Sequence, residues 1–345
     1  VTVAAIPVLL SGVVGLGAAR AAGSDTPQIP GSVAAPTAST ISPVCDAPDP
    51  TTALGPATTV PSSPTSTVVT PSGGVANFTA TSSDLYVDTG TQLVTYTLSG
   101  TEVSSFPLPS GFTGGNEISQ PVVDSSGDIY LSTYYGQQVE KFSPNGSRLW
   151  DDTSLGNPTG LFSVGTGSSF EVVVSLTQNK TASSILNQST GAVSGTFPFV
   201  DDLGYVTNAP DGNLLYSGHG YVETVSPSGT VLSTFGSSKT GGSGAHTGGS
   251  YQFYYPGQAT QGSNGTIYTA DPNGTIEATS AKGYLQGTTT LGEEPNDSGI
   301  SAGNLDLGGG NFYLVGSTFY YQGGPPFDNS GDNISSISLT TLTDY

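Results

Sequence analysis

The amino-acid sequence predicts an all-β fold, a six-bladed β-propeller (seven being the other blade count that the repeat allows), preceded by an N-terminal hydrophobic α-helix and an extended Ser/Thr/Pro-rich stalk. Three observations lead there. From Val75 to Tyr345, short runs rich in Val, Ile, Thr and Tyr alternate with clusters of Gly, Asn, Asp and Ser, as strands joined by tight turns do. A turn-plus-strand unit recurs about every 45 residues, a period that fits propeller blades. With 49 Gly and 24 Pro among 345 residues, the chain is poor in helix formers and suited to turns. The implied division is residues 1–22 as helix, 23–74 as linker and 75–345 as propeller.

Charge narrows the function. Twenty-six acidic residues against six basic ones give a net charge of −20, which repels phosphate backbones, and the basic side chains are scattered. No nucleic-acid partner is expected. One cysteine, Cys45, cannot form an internal disulfide, and two histidines, His219 and His246, are too few for a three-His metal site. The 17 Tyr and 13 Phe suffice for a domain-sized core despite a 34% hydrophobic share.

Val1 to Ala22 is apolar or small apart from Thr2, Ser11 and Arg20, and as a helix it would span about 33 Å. Two readings stay open. Ala19-Arg20-Ala21 fits the small-x-small pattern of a secretory cleavage site. A retained segment would instead need an apolar home, and Ser11, Gly12, Gly15 and Gly17 would let such helices pack closely. In that form it resembles the mature N-terminus of type IV pilin-like filament subunits, an archaeal-type one above all. Position five is Ala5 where bacterial pilins carry glutamate, and Pro7 would kink the helix. The resemblance implies a filament core built from Val1, Ile6, Leu9, Leu10, Val13, Val14 and Leu16, with membrane contact through this helix before assembly.

Gly23 to Gly74 holds 18 Ser or Thr and 10 Pro. Proline favours extended conformations, and the few large apolar side chains cannot offset the entropy of folding. An extended stalk that O-linked sugars would stiffen further is expected, the other reading being a plain flexible linker.

Beyond it, six segments align: Ser83-Asp84-Leu85-Tyr86, Gly127-Asp128-Ile129-Tyr130, the degenerate Ser168-Ser169-Phe170-Glu171, Gly212-Asn213-Leu214-Leu215-Tyr216, Gly265-Thr266-Ile267-Tyr268 and Gly310-Asn311-Phe312-Tyr313. The second repeat predicts a whole blade: strands at Pro121–Val123, Asp128–Thr133, Gln138–Ser143 and Ser147–Trp150. Asn77–Ala80 is expected as the first inner strand, with Ile334–Leu342 returning beside it to close the ring and remove free sheet edges. Asp124 to Gly146, including Val139-Glu140-Lys141-Phe142, resembles the NHL and related six-bladed propeller families, whose repeats pair an Asp-x-x-Gly-x-Ile-Tyr-Val strand with a Val-x-Lys-Phe hairpin.

No catalytic residue, cofactor or resident metal is assigned. Some six-bladed lactonases bind calcium in the channel, and Asn116, Glu117, Asn208, Asn304 and Asp306 offer hard oxygen ligands near inner strands. His219 resembles the histidines of propeller lyases of the streptogramin-cleaving type. These define the enzymatic alternative, a secreted lyase or calcium-dependent lactonase. Asp124 to Asp128 lacks the spacing of an EF-hand and reads as a β-turn.

Eight Asn-x-Ser/Thr sites, Asn77, Asn145, Asn179, Asn187, Asn264, Asn273, Asn296 and Asn333, predict N-linked glycans. Tyr251 to Tyr255 and Phe319 to Tyr321 are aromatic clusters for blade packing, sugar stacking or subunit contacts. Most carboxylates lack possible cationic partners, so protonation near pH 3 should relieve repulsion. The combined expectation is a non-enzymatic, extracellular, glycosylated filament subunit displaying a propeller head, its partners being copies of itself and surface glycans or proteins. The alternative is a secreted or membrane-tethered propeller that binds a glycan or protein.

Overall fold

In the computed structural model the described residues are 66–113, 119–176, 182–199, 205–218, 221–236, 258–270, 275–280, 285–290, 312–322 and 333–338. The chain divides into two units, Val1–Ser42 and Pro43–Tyr345, and every described residue belongs to the second. The apolar segment, Cys45, His219 and His246 lie outside them.

The described residues form six antiparallel sheets of four strands each. Blade 1 runs outward as β2 (Asn77–Ala80), β3 (Asp84–Asp88), β4 (Gln92–Thr97) and β5 (Glu102–Pro107). Blade 2 is β6 (Val122–Val123), β7 (Ile129–Thr133), β8 (Gln138–Phe142) and β9 (Arg148–Asp152). Blade 3 is β10 (Pro158–Val164), β11 (Glu171–Leu176), β12 (Ser183–Leu186) and β13 (Val193–Phe197). Blade 4 is β14 (Tyr205–Asn208), β15 (Leu214–Gly218), β16 (Tyr221–Val225) and β17 (Val231–Gly236). Blade 5 is β18 (Ala259–Gln261), β19 (Ile267–Ala270), β20 (Thr275–Thr279) and β21 (Leu285–Thr290). Blade 6 comprises β22 (Phe312–Val315), β23 (Thr318–Gln322), β24 (Ile334–Ser338) and, on its outside, β1 (Ser66–Val69).

The apolar clusters show how the sheets are arranged, because each lies between two consecutive blades. Tyr86, Leu93 and Phe106 of blade 1 meet Ile129, Leu131 and Phe142 of blade 2. Tyr130 and Trp150 meet Leu161 and Val172 of blade 3, and Phe162 and Phe197 meet Val206 and Tyr216 of blade 4. Leu215 and Phe235 meet Ala259 and Ile267 of blade 5, and Tyr268 meets Phe312 and Phe319 of blade 6. Tyr320 and Ile334 then meet Phe78 and Leu85 of blade 1. The last seam returns to the first sheet, so the array is a closed ring of six.

Burial on both faces explains why second strands read as unbroken apolar runs instead of alternating ones. Leu85 faces blade 6 whereas its neighbour Tyr86 faces blade 2.

Two details of the sequence reading change. The residues that face the following blade from each second strand are Tyr86, Tyr130, Val173, Leu215, Tyr268 and Tyr320. Glu171, Tyr216 and Tyr313 are therefore out of register with the repeat, and Phe312 and Tyr313 of the last copy lie on an inner strand rather than a second one. The ring is also closed differently. Residues 66–74, expected in the stalk, include β1, whose Ser66 and Thr67 pair with Ser336 and Ser335 of β24. The closing strand comes from the N-terminal side of the propeller, while β24 is the third strand of its blade. Sequence patterning missed this because an isolated four-residue Ser-Thr-Val-Val run inside a Pro-rich stretch carries no turn signal.

Candidate site at the channel mouth

The inner strands line the axis, and their first residues gather at one end of it. Gln120, two residues before β6, donates a hydrogen bond from Nε2 to Oε1 of Gln258, which directly precedes β18. Blades 2 and 5 stand opposite each other in a ring of six, so these amides meet across the channel. Tyr313 of β22 donates to the carbonyl of Phe78 at 3.2 Å and packs edge-on against the Phe78 ring, centroids 5.2 Å apart. Burial pushes its phenol well above the ordinary range; hydrogen bonds with the side chains of Thr79 and Gln258 pull it part of the way back, and Tyr205 adds to the rise. Five blades thus contribute to one patch of amide, hydroxyl and phenol groups: Thr79, Gln120, Tyr205, Gln258 and Tyr313.

Neutral side chains also stitch neighbouring inner strands. Thr207 Oγ1 donates to the Ala259 carbonyl at 2.6 Å, Asn208 Nδ2 to Ser163 Oγ at 2.8 Å, and the Leu314 amide to Thr260 Oγ1 at 3.4 Å. Asn208, a calcium candidate on sequence, is therefore engaged with blade 3. Asn116, Glu117, Asn304 and Asp306 lie outside the described residues. Among the described residues no group of three or more His, Cys, Asp or Glu could hold a metal ion.

Sequence reading missed a second ring of polar groups. Each second-strand apolar run ends in a buried polar residue: Asp88, Ser132, Ser175, Ser217, Thr269 and Gln322. Two of them reach the next blade's inner region, since Ser217 Oγ accepts from the Ala259 amide at 3.0 Å and Gln322 Nε2 donates to the Val75 carbonyl. Ser132 and Ser119 share a hydroxyl bond of 2.7 Å. The signal was present as a repeated apolar-apolar-apolar-polar step, masked by the expectation of simple alternation.

The same end of the ring carries the turn between β7 and β8. Tyr134 and Tyr135 meet edge to face with centroids 5.0 Å apart, and Tyr135 is 61% exposed. Gln137 follows at a φ of 54°, a left-handed conformation that costs a non-glycine residue energy. By contrast, Phe319 and Tyr321 fill the seam between blades 5 and 6, so that aromatic cluster packs blades. Tyr251 to Tyr255 fall outside the described residues.

The Asp124 to Phe142 stretch of blade 2 has a structural role. Lys141 Nζ lies 2.8 Å from Asp128 and 3.3 Å from Asp124, and Tyr130 donates to Asp124 at 3.0 Å. Burial opposes the Lys141 charge, but hydrogen bonds with Asp128 and Tyr130 and the field of Asp124 outweigh it and raise the pKa. Burial pushes the Tyr130 phenol up to about 12. Trp150 Nε1 then donates to the Gln188 carbonyl at 2.8 Å, tying blade 2 to blade 3.

Of the sequons, Asn145, Asn187 and Asn264 are exposed. Each accepts, through Oδ1, the amide of its own sequon's third residue: Ser147 at 3.2 Å, Ser189 at 2.9 Å and Thr266 at 3.1 Å. Asn77 is half-buried on inner strand β2, and Asn333 is half-buried with its Oδ1 enclosed. Asn179, Asn273 and Asn296 lie outside the described residues. Glycopeptide mass spectrometry of native protein should find sugar at Asn145, Asn187 and Asn264 and none at Asn77 or Asn333. Occupancy of the two half-buried sites with the fold intact would contradict this placement.

Neither a protein-family profile nor any curated protein matches the chain. Among solved structures, virginiamycin B lyase from Staphylococcus aureus is similar at 13% identity and a TM-score of 0.49, covering 77% of this chain and 95% of that one. A catalytically inactive variant of that lyase with quinupristin gives the same values. A protein of unknown function from Bacteroides caccae is similar at 11% identity and a TM-score of 0.43, covering 62% of this chain and 85% of that one. The assignment to the six-bladed propellers rests on the chain's own six sheets and the seam that joins the last to the first.

Proposed function

We propose that the chain is a non-enzymatic extracellular protein of structural and adhesive type. Copies assemble into a cell-surface filament through Val1 to Ala22, and each displays its propeller on the Ser/Thr/Pro-rich stretch. One observation supports this display: β1 is the outermost strand of blade 6, so the preceding polypeptide joins the ring at its rim rather than at its channel. The test is electron microscopy of native surface material with mass spectrometry of its N-terminus. Polymers whose subunits retain residues 1–22 are expected, and deletion of residues 1–22 should yield monomers with the propeller intact. Native protein that is strictly monomeric or starts after Ala21 would overturn the filament reading.

The amide, hydroxyl and phenol groups gathered at the channel mouth among the described residues favour a second reading, a tethered module that binds an uncharged polar ligand such as a surface glycan. Amides and hydroxyls can both donate to and accept from sugar hydroxyls, and Tyr135 offers an exposed ring for stacking. Oligosaccharide arrays probed with wild-type protein and with Gln258→Leu separate the outcomes. Loss of a wild-type signal in the variant supports the mouth as the site, and unchanged binding places the site elsewhere.

A further inference from the structure

The seam between blades 1 and 2 buries two carboxyl groups that neither reading above uses. Asp88 ends β3 opposite Leu93, shares that residue's face toward blade 2, and is 0% exposed. Its Oδ1 accepts the Gly90 amide at 2.7 Å, whereas its Oδ2 is enclosed without a hydrogen-bond partner. Glu140 on β8 stands opposite Leu131 and faces blade 1 from the other side, 2% exposed. Arg148 Nη1 approaches its Oε1 at 3.5 Å from a half-exposed position, and its Oε2 is enclosed and unpartnered. The other ionisable groups facing this seam are Asp84 and Tyr86 from blade 1 and Asp151 from blade 2, and Asp124, on the other face of blade 2, acts on Tyr86 through its field. Arg148 is therefore the one cation acting there among the described residues, because Lys141 is held by Asp124 and Asp128 on the blade 3 side.

We propose that this seam is an acid-tightened latch: protonation of Asp88 and Glu140 strengthens the contact between the first two blades, and their ionisation at neutral pH loosens it. An ionised carboxylate oxygen enclosed without a donor is costly, and a neutral carboxyl group much less so. Burial pushes Asp88 up to about 6, with the Gly90 amide pulling the other way. Burial also raises Glu140, opposed by Arg148 and reinforced by Asp151. The sign follows from linkage. As pH rises from 3.8, the ordinary aspartate value, to about 6, the unfolded chain releases the Asp88 proton before the folded chain does. Stability is complete at the acid end of that window, is lost through it, and is level above it. Two pKa units correspond to about 100-fold in the folding constant.

Urea unfolding of the full chain at pH 4 and pH 7 tests this in wild type, Asp88→Asn, Glu140→Gln and the double variant. Wild type should lose about 100-fold or more in folding constant between the two pH values. The double variant should lack this component while keeping the general effect of the chain's net negative charge. Amide exchange, corrected for its intrinsic pH dependence, should quicken at pH 7 in β3, β4, β7 and β8 of wild type only. A double variant with the wild-type pH dependence overturns the latch. If the variants do not fold, the carboxyl carbon of Asp88 in wild type decides by NMR: titration near 6 supports the latch, and titration at or below 3.8 overturns it.

Discussion

Deleting residues 1–65 is expected to leave the propeller's unfolding midpoint unchanged, and deleting residues 1–70 is expected to open blade 6. The difference is β1. Its removal exposes the edge of β24, where Ser335 and Ser336 lose their backbone partners, and removes Val69, which is 4% exposed in the seam with blade 1. The strand is also gripped from the other side. Gly100, in the β4–β5 turn at a φ of 85°, sits so close that a Cβ there would lie 2.1 Å from the Val68 carbonyl oxygen, so only glycine allows that turn to rest against β1. One buried valine and two or three ladder hydrogen bonds sum to roughly 3–6 kcal/mol. That is comparable with the whole stability of an ordinary domain, about 5–15 kcal/mol. Urea midpoints and protease resistance of the two truncations measure it, and equal behaviour would show that β1 does not close the ring.

The other large effect is expected from Phe142→Ala. Phe142 lies 5.4 Å from Phe106 and 6.4 Å from Phe112 between ring centroids, and it is 2% exposed in the seam between blades 1 and 2. Truncating it leaves a cavity between two sheets that are each held by backbone ladders and cannot collapse freely. The loss should be about 3–5 kcal/mol. It should be the same at pH 4 and pH 7, since nothing titratable is removed, whereas Asp88→Asn in the same seam should change stability at pH 7 and little at pH 4. A loss under about 1 kcal/mol would mean that the seam repacks more readily than sheet-on-sheet geometry implies.

The strand content, the blade count and most of blade 2 were legible in the residues, because turns and buried strands impose local patterns. Asn77–Ala80 is β2 as its sequence implied, and Gln138 to Phe142 and Arg148 to Trp150 fall in β8 and β9. The register of the degenerate copies was not legible. In blade 4 the run Leu214-Leu215-Tyr216 has Leu215 facing blade 5 and Tyr216 facing blade 3, and a tyrosine gives no sign of which face it takes when both faces are buried. The channel mouth was equally hidden, since Gln120 and Gln258 are ordinary polar residues 138 positions apart until the ring brings opposite blades together.

The sequence by itself determined that this chain makes short antiparallel strands in a repeating unit, with few cations to balance its acids. It did so because turn chemistry and burial act over a few residues at a time. Only the tertiary structure decided which strand closes the ring, which residues meet at the axis, and that Asp88 and Glu140 are shut into one seam. Those outcomes depend on contacts between segments far apart in the chain, where the distance between side chains is set by how whole sheets pack.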